Sequence, residues 1–283
     1  MTQPPRATCC DRRPAAPVTA AGEPVVNDDW NRHWSTFGDA VEGNPATAYR
    51  SRLILEMLGP VTDDTVILEI GCGQGEFALH VAELYPQAEV WGIDVSAEGV
   101  HRATMAATVR QLSAHFTQRD LTVSAELDDR ERGRATVAIC SEVLEHVDRP
   151  DMLLRHAAEY LAPGCRLVVT VPGGPRSAFD RHIGHRRHFT ASRLRDLLES
   201  TGFDQVKVQR AGFPFFDLYR LVVIARGKRL IGDVERTAGT SLDQGASGAA
   251  LRVFDRAFRF NLDSSPFGWQ VVARARRTPR SAR

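Results

Sequence analysis

The sequence predicts an α/β protein built on a doubly wound, largely parallel sheet. Short apolar runs at Val66–Ile70, Glu89–Ile93, Ala114–Thr117, Thr136–Cys140 and Arg166–Val171 have the length and composition of strands buried on both faces. Helix-like stretches separate them, around Glu76–Leu84, Ala97–Ala107, Val143–Val147 and Asp151–Leu161. A glycine-rich turn, Gly71-Cys72-Gly73-Gln74-Gly75, follows the first run directly. Strands alternating with helices require right-handed crossovers, which lay helices on both faces of one sheet.

The flanking segments extend this pattern. Asn44-Pro45 is a helix start, with asparagine as cap and proline at the first helical position, and that helix should run to about Leu58. Before it, Trp30, Trp34 and Phe37 recur at spacings of four and three, the mark of one helical face. That face packs on the domain, covers the site, or does both. After Val171 comes a loop rich in glycine, arginine and histidine, Pro172 to His188. Thr190 then caps a helix that Gly202 ends, Gln205–Gln209 reads as a sixth strand, and Trp269–Ala273 as the closing seventh.

Residues 212–266 depart from the alternation. Phe213 to Ile231 is strongly apolar on one side, Thr237 to Gly248 reads as a mobile loop, and Ala250 to Leu262 is amphipathic at helical spacing. A helical insertion is therefore expected between the last two strands. It has three uses open to it: capping the substrate site, forming a homodimer, or touching a membrane surface through 213–231. The expected division is a disordered leader at 1–24, the main domain at 25–211 and 267–277, and the insertion at 212–266.

Composition narrows the function. A formal net charge of +1 gives no global field for nucleic acid or membrane, and the arginines from Arg274 to Arg283 read as a solvated tail. The five cysteines show no C-x-x-C spacing, and three lie in or beside apolar runs, so a reducing cytoplasm is expected. No run of 18 apolar residues occurs, which argues against a transmembrane segment.

The candidate ligand cradle is Val66 to Tyr85. Glycines at 71, 73 and 75 remove the side chains that would hold a ligand away from the backbone. Their G-x-G-x-G spacing departs from the dinucleotide pattern and favours a nucleoside without pyrophosphate. Asp94 ends the next strand, 19 residues after Gly75, where a carboxylate accepts both ribose hydroxyls. Its alternative role, a helix cap, is better filled by Ser96.

Over roughly Asn44 to Arg210 plus the last strand, the sequence resembles the class I S-adenosylmethionine (SAM)-dependent methyltransferases, whose fold is Rossmann-like. The resemblance implies that Glu69, Gly71, Gly73 and Gly75 face the methionine part of SAM. It implies that Asp94, with Val95 beside it, holds the ribose, and that Asp120 and Leu121 lie at the adenine. Ser141 would line the methionine end.

Methyl transfer needs an acceptor held in line with the methyl carbon and, for a hydroxyl, a means of removing its proton. Two clusters after the fourth and fifth strands suit this. On a helix, Glu142, Glu145 and His146 would share one face, fit for a divalent cation such as Mg²⁺ or Zn²⁺. The segment Asp180 to Thr190 supplies His182, His185 and His188, with Arg181, Arg186 and Arg187 suited to a carboxylate or phosphate. Glu-x-x-Glu-His followed by a later histidine resembles the ubiquinone-pathway O-methyltransferases and the small-RNA 2′-O-methyltransferases. That resemblance implies a metal held by Glu142, Glu145, His146 and His185. Without a metal, His146 or His185 would act as base.

The sequence thus predicts methyl transfer from SAM to a hydroxyl of a small-molecule metabolite, anionic or sugar-bearing. The rival readings are an RNA 2′-O-methyltransferase, disfavoured by the near-neutral charge, and a C- or N-methyltransferase of a small molecule or lipid.

Overall fold

A computed structural model describes residues 29–41, 44–236 and 253–279. Seven strands form one sheet in the order β3-β2-β1-β4-β5-β7-β6. Strands β1 (Val66–Ile70), β2 (Glu89–Asp94), β3 (Ala114–Gln118), β4 (Ala135–Ser141) and β5 (Leu161–Pro172) run parallel. Strand β7 (Gln270–Arg277) lies antiparallel between β5 and β6 (Phe203–Ala211). This is the Rossmann-like, doubly wound architecture with a helical insertion before the last strand. The order reverses between β1 and β4, which opens a crevice at their carboxyl ends.

The period-two alternation of the strands builds a core on each face. Leu68, Ile70, Ala138, Cys140, Leu167 and Val169 point to one side, where α5 (Pro150–Ala157) and α7 (Ala191–Ser200) cover them with Leu153, Leu154, Leu194 and Leu198. Ile67, Val137, Ile139 and Val168 point to the other, against α2 (Pro45–Leu58) and α3 (Glu76–Leu84). As expected, Asn44 caps α2, its side chain accepting from Ala46 N at 2.9 Å. Further helices are α1 (Trp30–Val41), α4 (Ala97–Arg110), α6 (Ala178–His182) and α8 (Phe215–Arg236), the last broken at Gly227.

Aromatic rings fasten the insertion to the domain. Tyr49 of α2 meets Phe216 of α8 and Phe258 at 5.6 and 5.7 Å between centroids, and Tyr219 meets Phe254 at 5.4 Å. The outer side of α8 leaves Leu218, Leu221 and Val222 exposed. Among the described residues, no helix is long and apolar enough to cross a membrane.

Three expectations are corrected. Val143–Val147 is a turn, not a helix: Glu142 takes a left-handed φ of 56°, and Pro150 starts α5 only after the turn. The run from Arg274 to Arg277, read as a solvated tail, continues β7, because Ala275 faces the core while Arg274 and Arg276 face water. Within Ala250–Leu262, the described residues 253–262 are helical only as far as a closing 3₁₀ turn at Phe258–Phe260. The expected leader at 1–24 and the mobile loop from Thr237 to Gly248 lie outside the described residues.

Candidate active site

The cradle is built by the first βαβ unit. Glu69 is buried near the end of β1, and its Oε2 accepts from Ala78 N in the first turn of α3 at 2.9 Å. Burial pushes its carboxyl up to about 8, and the nearby Asp94 adds to the shift. Gly71 and Gly73 have φ of 74° and 53°, where a side chain is strained. Space excludes one as well: a Cβ on Gly71 would lie 2.4 Å from a Val143 methyl, and one on Gly73 would lie 2.2 Å from the Trp34 ring.

Asp94 closes β2 and ties it to the glycine turn. Its Oδ2 accepts from Gly73 N and its Oδ1 from Ser96 N, both at 2.8 Å. Ser96 caps α4 by accepting from Gly99 N at 3.0 Å, so the cap role does fall to Ser96. Asn31 of α1 receives bonds from Ser96 Oγ and Glu98 N at 2.9 and 3.1 Å. Helix α1 packs on the domain at both sides of the crevice: Trp34 lies over the glycine turn, and Trp30 packs edge-on against His146 at 4.8 Å.

The other cradle residues are less directly disposed. Val95 is exposed beside Asp94. Asp120 follows β3, and its Oδ1 accepts from Thr122 N at 2.8 Å within its own turn. Leu121 is buried, and its carbonyl bonds His156 Nδ1 at 2.8 Å. Ser141 ends β4 and shares a 2.8 Å hydrogen bond with Thr170 of β5.

Across the crevice, the turn after β4 and the loop after β5 bring an acidic and imidazole cluster together. Glu145, His146 and His185 each offer one ligand atom, and these atoms all lie within 4.8 Å of one another. The His146 and His185 rings meet edge-on at 4.7 Å. Glu145 is fully buried, yet among the described residues neither of its carboxylate oxygens has a hydrogen-bond partner, nor has His146 Nδ1. Burial, reinforced by Glu142, holds the Glu145 carboxyl well above the usual range. Burial brings both His146 and His185 down to about 3, so both rings are neutral. One carboxylate and two neutral imidazoles are a donor set for a divalent cation, and the unpartnered buried oxygens fit that use.

The structure does not bring Glu142 into this group. With the chain turning out at its positive φ, Glu142 Oε1 accepts from Gln270 Nε2 at 2.8 Å and Thr170 Oγ1 at 3.1 Å. Its other oxygen faces Arg50 of α2 at 3.9 Å. The helical face that would have aligned Glu142 with Glu145 and His146 does not exist.

The loop after β5 is also more committed than its composition suggested. Arg186 pairs with Asp148, and Arg187 donates to the Asp148 carbonyl at 3.1 Å. Arg181 reaches the Arg176 carbonyl at 3.3 Å. Of the three histidines, His182 is exposed and belongs to neither ligand group, whereas His185 and His188 form a second group with Asp180. That second group already holds a cation, because Arg220 of α8 lies 2.9 Å from Asp180 Oδ2. The sequence pattern gives no sign that Arg50, Arg220 and the Asp180 carboxylate meet at the crevice. No local motif marks any of them, since long-range packing alone brings α2 and α8 to the crevice.

Residues 46–208 match a family model described as a methyltransferase domain. The ubiquinone biosynthesis O-methyltransferase of Serratia proteamaculans (strain 568) is 30% identical over 134 residues, covering 47% of this chain and 53% of that protein. The chain thus spans about half the length of the curated relatives it matches. Among solved structures, Haemonchus contortus phosphoethanolamine N-methyltransferase 2 in complex with SAM is similar at a TM-score of 0.58. The match has 14% identity and covers 90% of this chain and 61% of that one. The [4+2]-cyclase SpnF matches at 0.53 with 20% identity, covering 82% of each chain. At such identities these two likenesses speak to the fold alone.

Proposed function

The chain belongs to the methyltransferase-domain family, and on that premise we propose that it moves the methyl group of SAM onto a hydroxyl of a small-molecule acceptor, aided by a divalent cation. The observation that carries this reading is the convergence of Glu145, His146 and His185 within 4.8 Å, with the two Glu145 oxygens buried and unpartnered. Desolvated groups of that kind are costly to keep unless a ligand satisfies them. The O-methyltransferase name carried by the curated relatives supports the choice of oxygen as acceptor atom.

In this reading the cradle holds SAM. Asp94 takes the ribose hydroxyls, and the glycine turn lets the methionine part approach the backbone near Glu69. Val95, Asp120, Leu121 and Ser141 complete the lining of that half. Across the crevice, Glu145, His146 and His185 would hold the cation, which lowers the pKa of an acceptor hydroxyl. The protein's own work is to orient that hydroxyl about 3 Å from the methyl carbon and to keep water out. Trp30, packed against His146, contributes to the second task. Imidazoles whose pKa is near 3 are poor bases at neutral pH, which favours ligation over direct proton abstraction by His146 or His185. The ligand set is therefore smaller than the sequence resemblance implied, with Glu142 fastening β5 and β7 instead. With the loop arginines engaged by the protein itself, an anionic acceptor has less to recommend it than a phenolic or sugar hydroxyl.

The test is a radiolabelled-methyl assay against phenol, sugar and lipid-linked hydroxyl acceptors, before and after EDTA. Transfer should fall at least a hundredfold on chelation and return with added Mg²⁺, Mn²⁺ or Zn²⁺. Undiminished transfer after EDTA, together with an active Glu145→Ala variant, would remove the metal. Transfer only to nitrogen or carbon acceptors would overturn the O-transfer reading.

A further inference from the structure

The histidines of the loop after β5 are wired in series. His188 Nδ1 lies 3.1 Å from the Gly174 carbonyl oxygen, and His188 Nε2 lies 3.2 Å from His185 Nδ1. A carbonyl only accepts, so His188 must carry its proton on Nδ1. A neutral His188 then has a bare Nε2, which in turn can only accept, so the proton between the two rings belongs to His185 Nδ1. His185 is left with an unprotonated Nε2.

We infer that His188 is a positioning residue: through its bond to Gly174 it fixes His185 in the Nδ1–H tautomer and leaves the Nε2 lone pair as the ring's free ligand atom. This deepens the proposed function and rests on its reading of His185.

Two further features make the arrangement specific. Asp180 Oδ1, buried and without a hydrogen-bond partner among the described residues, lies 4.0 Å from the same His185 Nδ1. A second acceptor thus flanks the same ring nitrogen and favours a proton there. Asp180 Oδ2 lies 3.9 Å from His188 Nε2 and would draw a second proton onto His188, reversing the series. Arg220 opposes this by pairing with that oxygen at 2.9 Å, and the Ser177 backbone N–H donates to it at 2.6 Å. The charge that would turn His188 into a donor is thus already matched. The insertion thereby reaches the site: α8 supplies the guanidinium that keeps the relay pointing from His185 towards Gly174.

A metal-ligating histidine is held in this way in many sites, its second nitrogen bonded to a carbonyl or carboxylate. Here another imidazole stands between ring and carbonyl. Glutamine could replace it, because its amide donates to Gly174 while its oxygen accepts from His185. Alanine could not.

The experiment is long-range ¹H–¹⁵N correlation on the full chain labelled with ¹⁵N-histidine, with His185 assigned through a His185→Asn variant. The wild type should show His185 as the Nδ1–H tautomer, opposite to the preference of a solvated histidine. His188→Gln should keep that tautomer, and His188→Ala should shift it towards Nε2–H. Calorimetry with Zn²⁺ alone should show affinity down roughly 10- to 100-fold in His188→Ala and largely retained in His188→Gln. An Nε2–H His185 in the wild type, or an unchanged tautomer in a folded His188→Ala, overturns the inference. Should His188→Ala not fold, the wild-type and His188→Gln spectra decide it. Full methyl transfer by His185→Ala would instead sink the functional reading while leaving the tautomer result standing.

Discussion

The two sides of the crevice treat buried polar groups in opposite ways. On the cradle side each carboxylate is satisfied by backbone: Glu69 by Ala78 N, Asp94 by Gly73 N and Ser96 N. On the side of the imidazole cluster, Glu145 has no partner for either oxygen among the described residues, and His146 Nδ1 and Asp180 Oδ1 have none there either. The groups around the glycine turn are thus held by the fold's own backbone bonds. Across the crevice these particular atoms are desolvated without compensation, a cost that proteins carry where stability is traded for function. The difference suggests variants that should behave differently on the two sides.

The largest effect is expected where the two sides touch. Gly71→Val combines a left-handed φ of 74° with a Cβ 2.4 Å from Val143, which belongs to the turn after β4. Backbone strain and overpacking should together cost about 2–6 kcal/mol and abolish SAM binding. Urea unfolding and calorimetry check this; a stable variant that still binds SAM would mean the two sides are not packed on each other there.

Next comes the cluster itself. Glu145→Gln should raise stability at neutral pH by about 1–3 kcal/mol, because the amide has no charge to desolvate and no proton to take up on burial, while transfer falls at least tenfold. Loss of stability in thermal unfolding would show that Glu145 is a structural group after all. The matching cradle variant, Asp94→Ala, should do the reverse: it leaves Gly73 N unpaired, lowers stability and weakens SAM binding at least tenfold.

A pH effect separates the sides a third way. Glu69 keeps its proton in the folded chain up to about pH 8, whereas an unfolded glutamate loses it near 4.5. Between those values the folded state holds the extra proton. Its contribution to stability is therefore full below pH 4.5 and is lost as pH rises towards 8. Glu69→Gln should flatten that part of the stability profile, by up to about 5 kcal/mol across the window. An identical slope in wild type and variant would place the titration elsewhere.

How much of this was legible in the sequence differs between the same two sides. The cradle is local: a strand, three glycines and an aspartate at a fixed spacing are contiguous, so pattern and backbone sterics suffice to find them. The acceptor side depends on what the chain does between elements. Glu142, Glu145 and His146 form one helical face only if residues 143–147 are helical, and a single positive φ at Glu142 removes that premise. Choosing among His182, His185 and His188 was likewise beyond spacing, because the answer lies in the fold of the loop. Arg50 and Arg220 come from α2 and α8, which only the packing of Tyr49 against Phe216 and Phe258 brings to the crevice.

The smallest effect concerns the helix that bridges the two sides. Trp34 covers the glycine turn and Trp30 the His146 ring, so α1 lies across the cradle and the acceptor cluster at once. Trp34→Ala removes a cover, not a ligand, and leaves the bonds of Asn31 to Ser96 and Glu98 in place. SAM affinity should fall by about 1 kcal/mol, roughly fivefold in Kd, through faster dissociation. Trp30→Ala should leave SAM binding alone and lower transfer instead, because the ring it removes shields the cluster from water. Stopped-flow dissociation of SAM and single-turnover transfer distinguish the two. Equal effects of both variants on both readings would mean that α1 serves only as packing, and that the crevice has no shared cover.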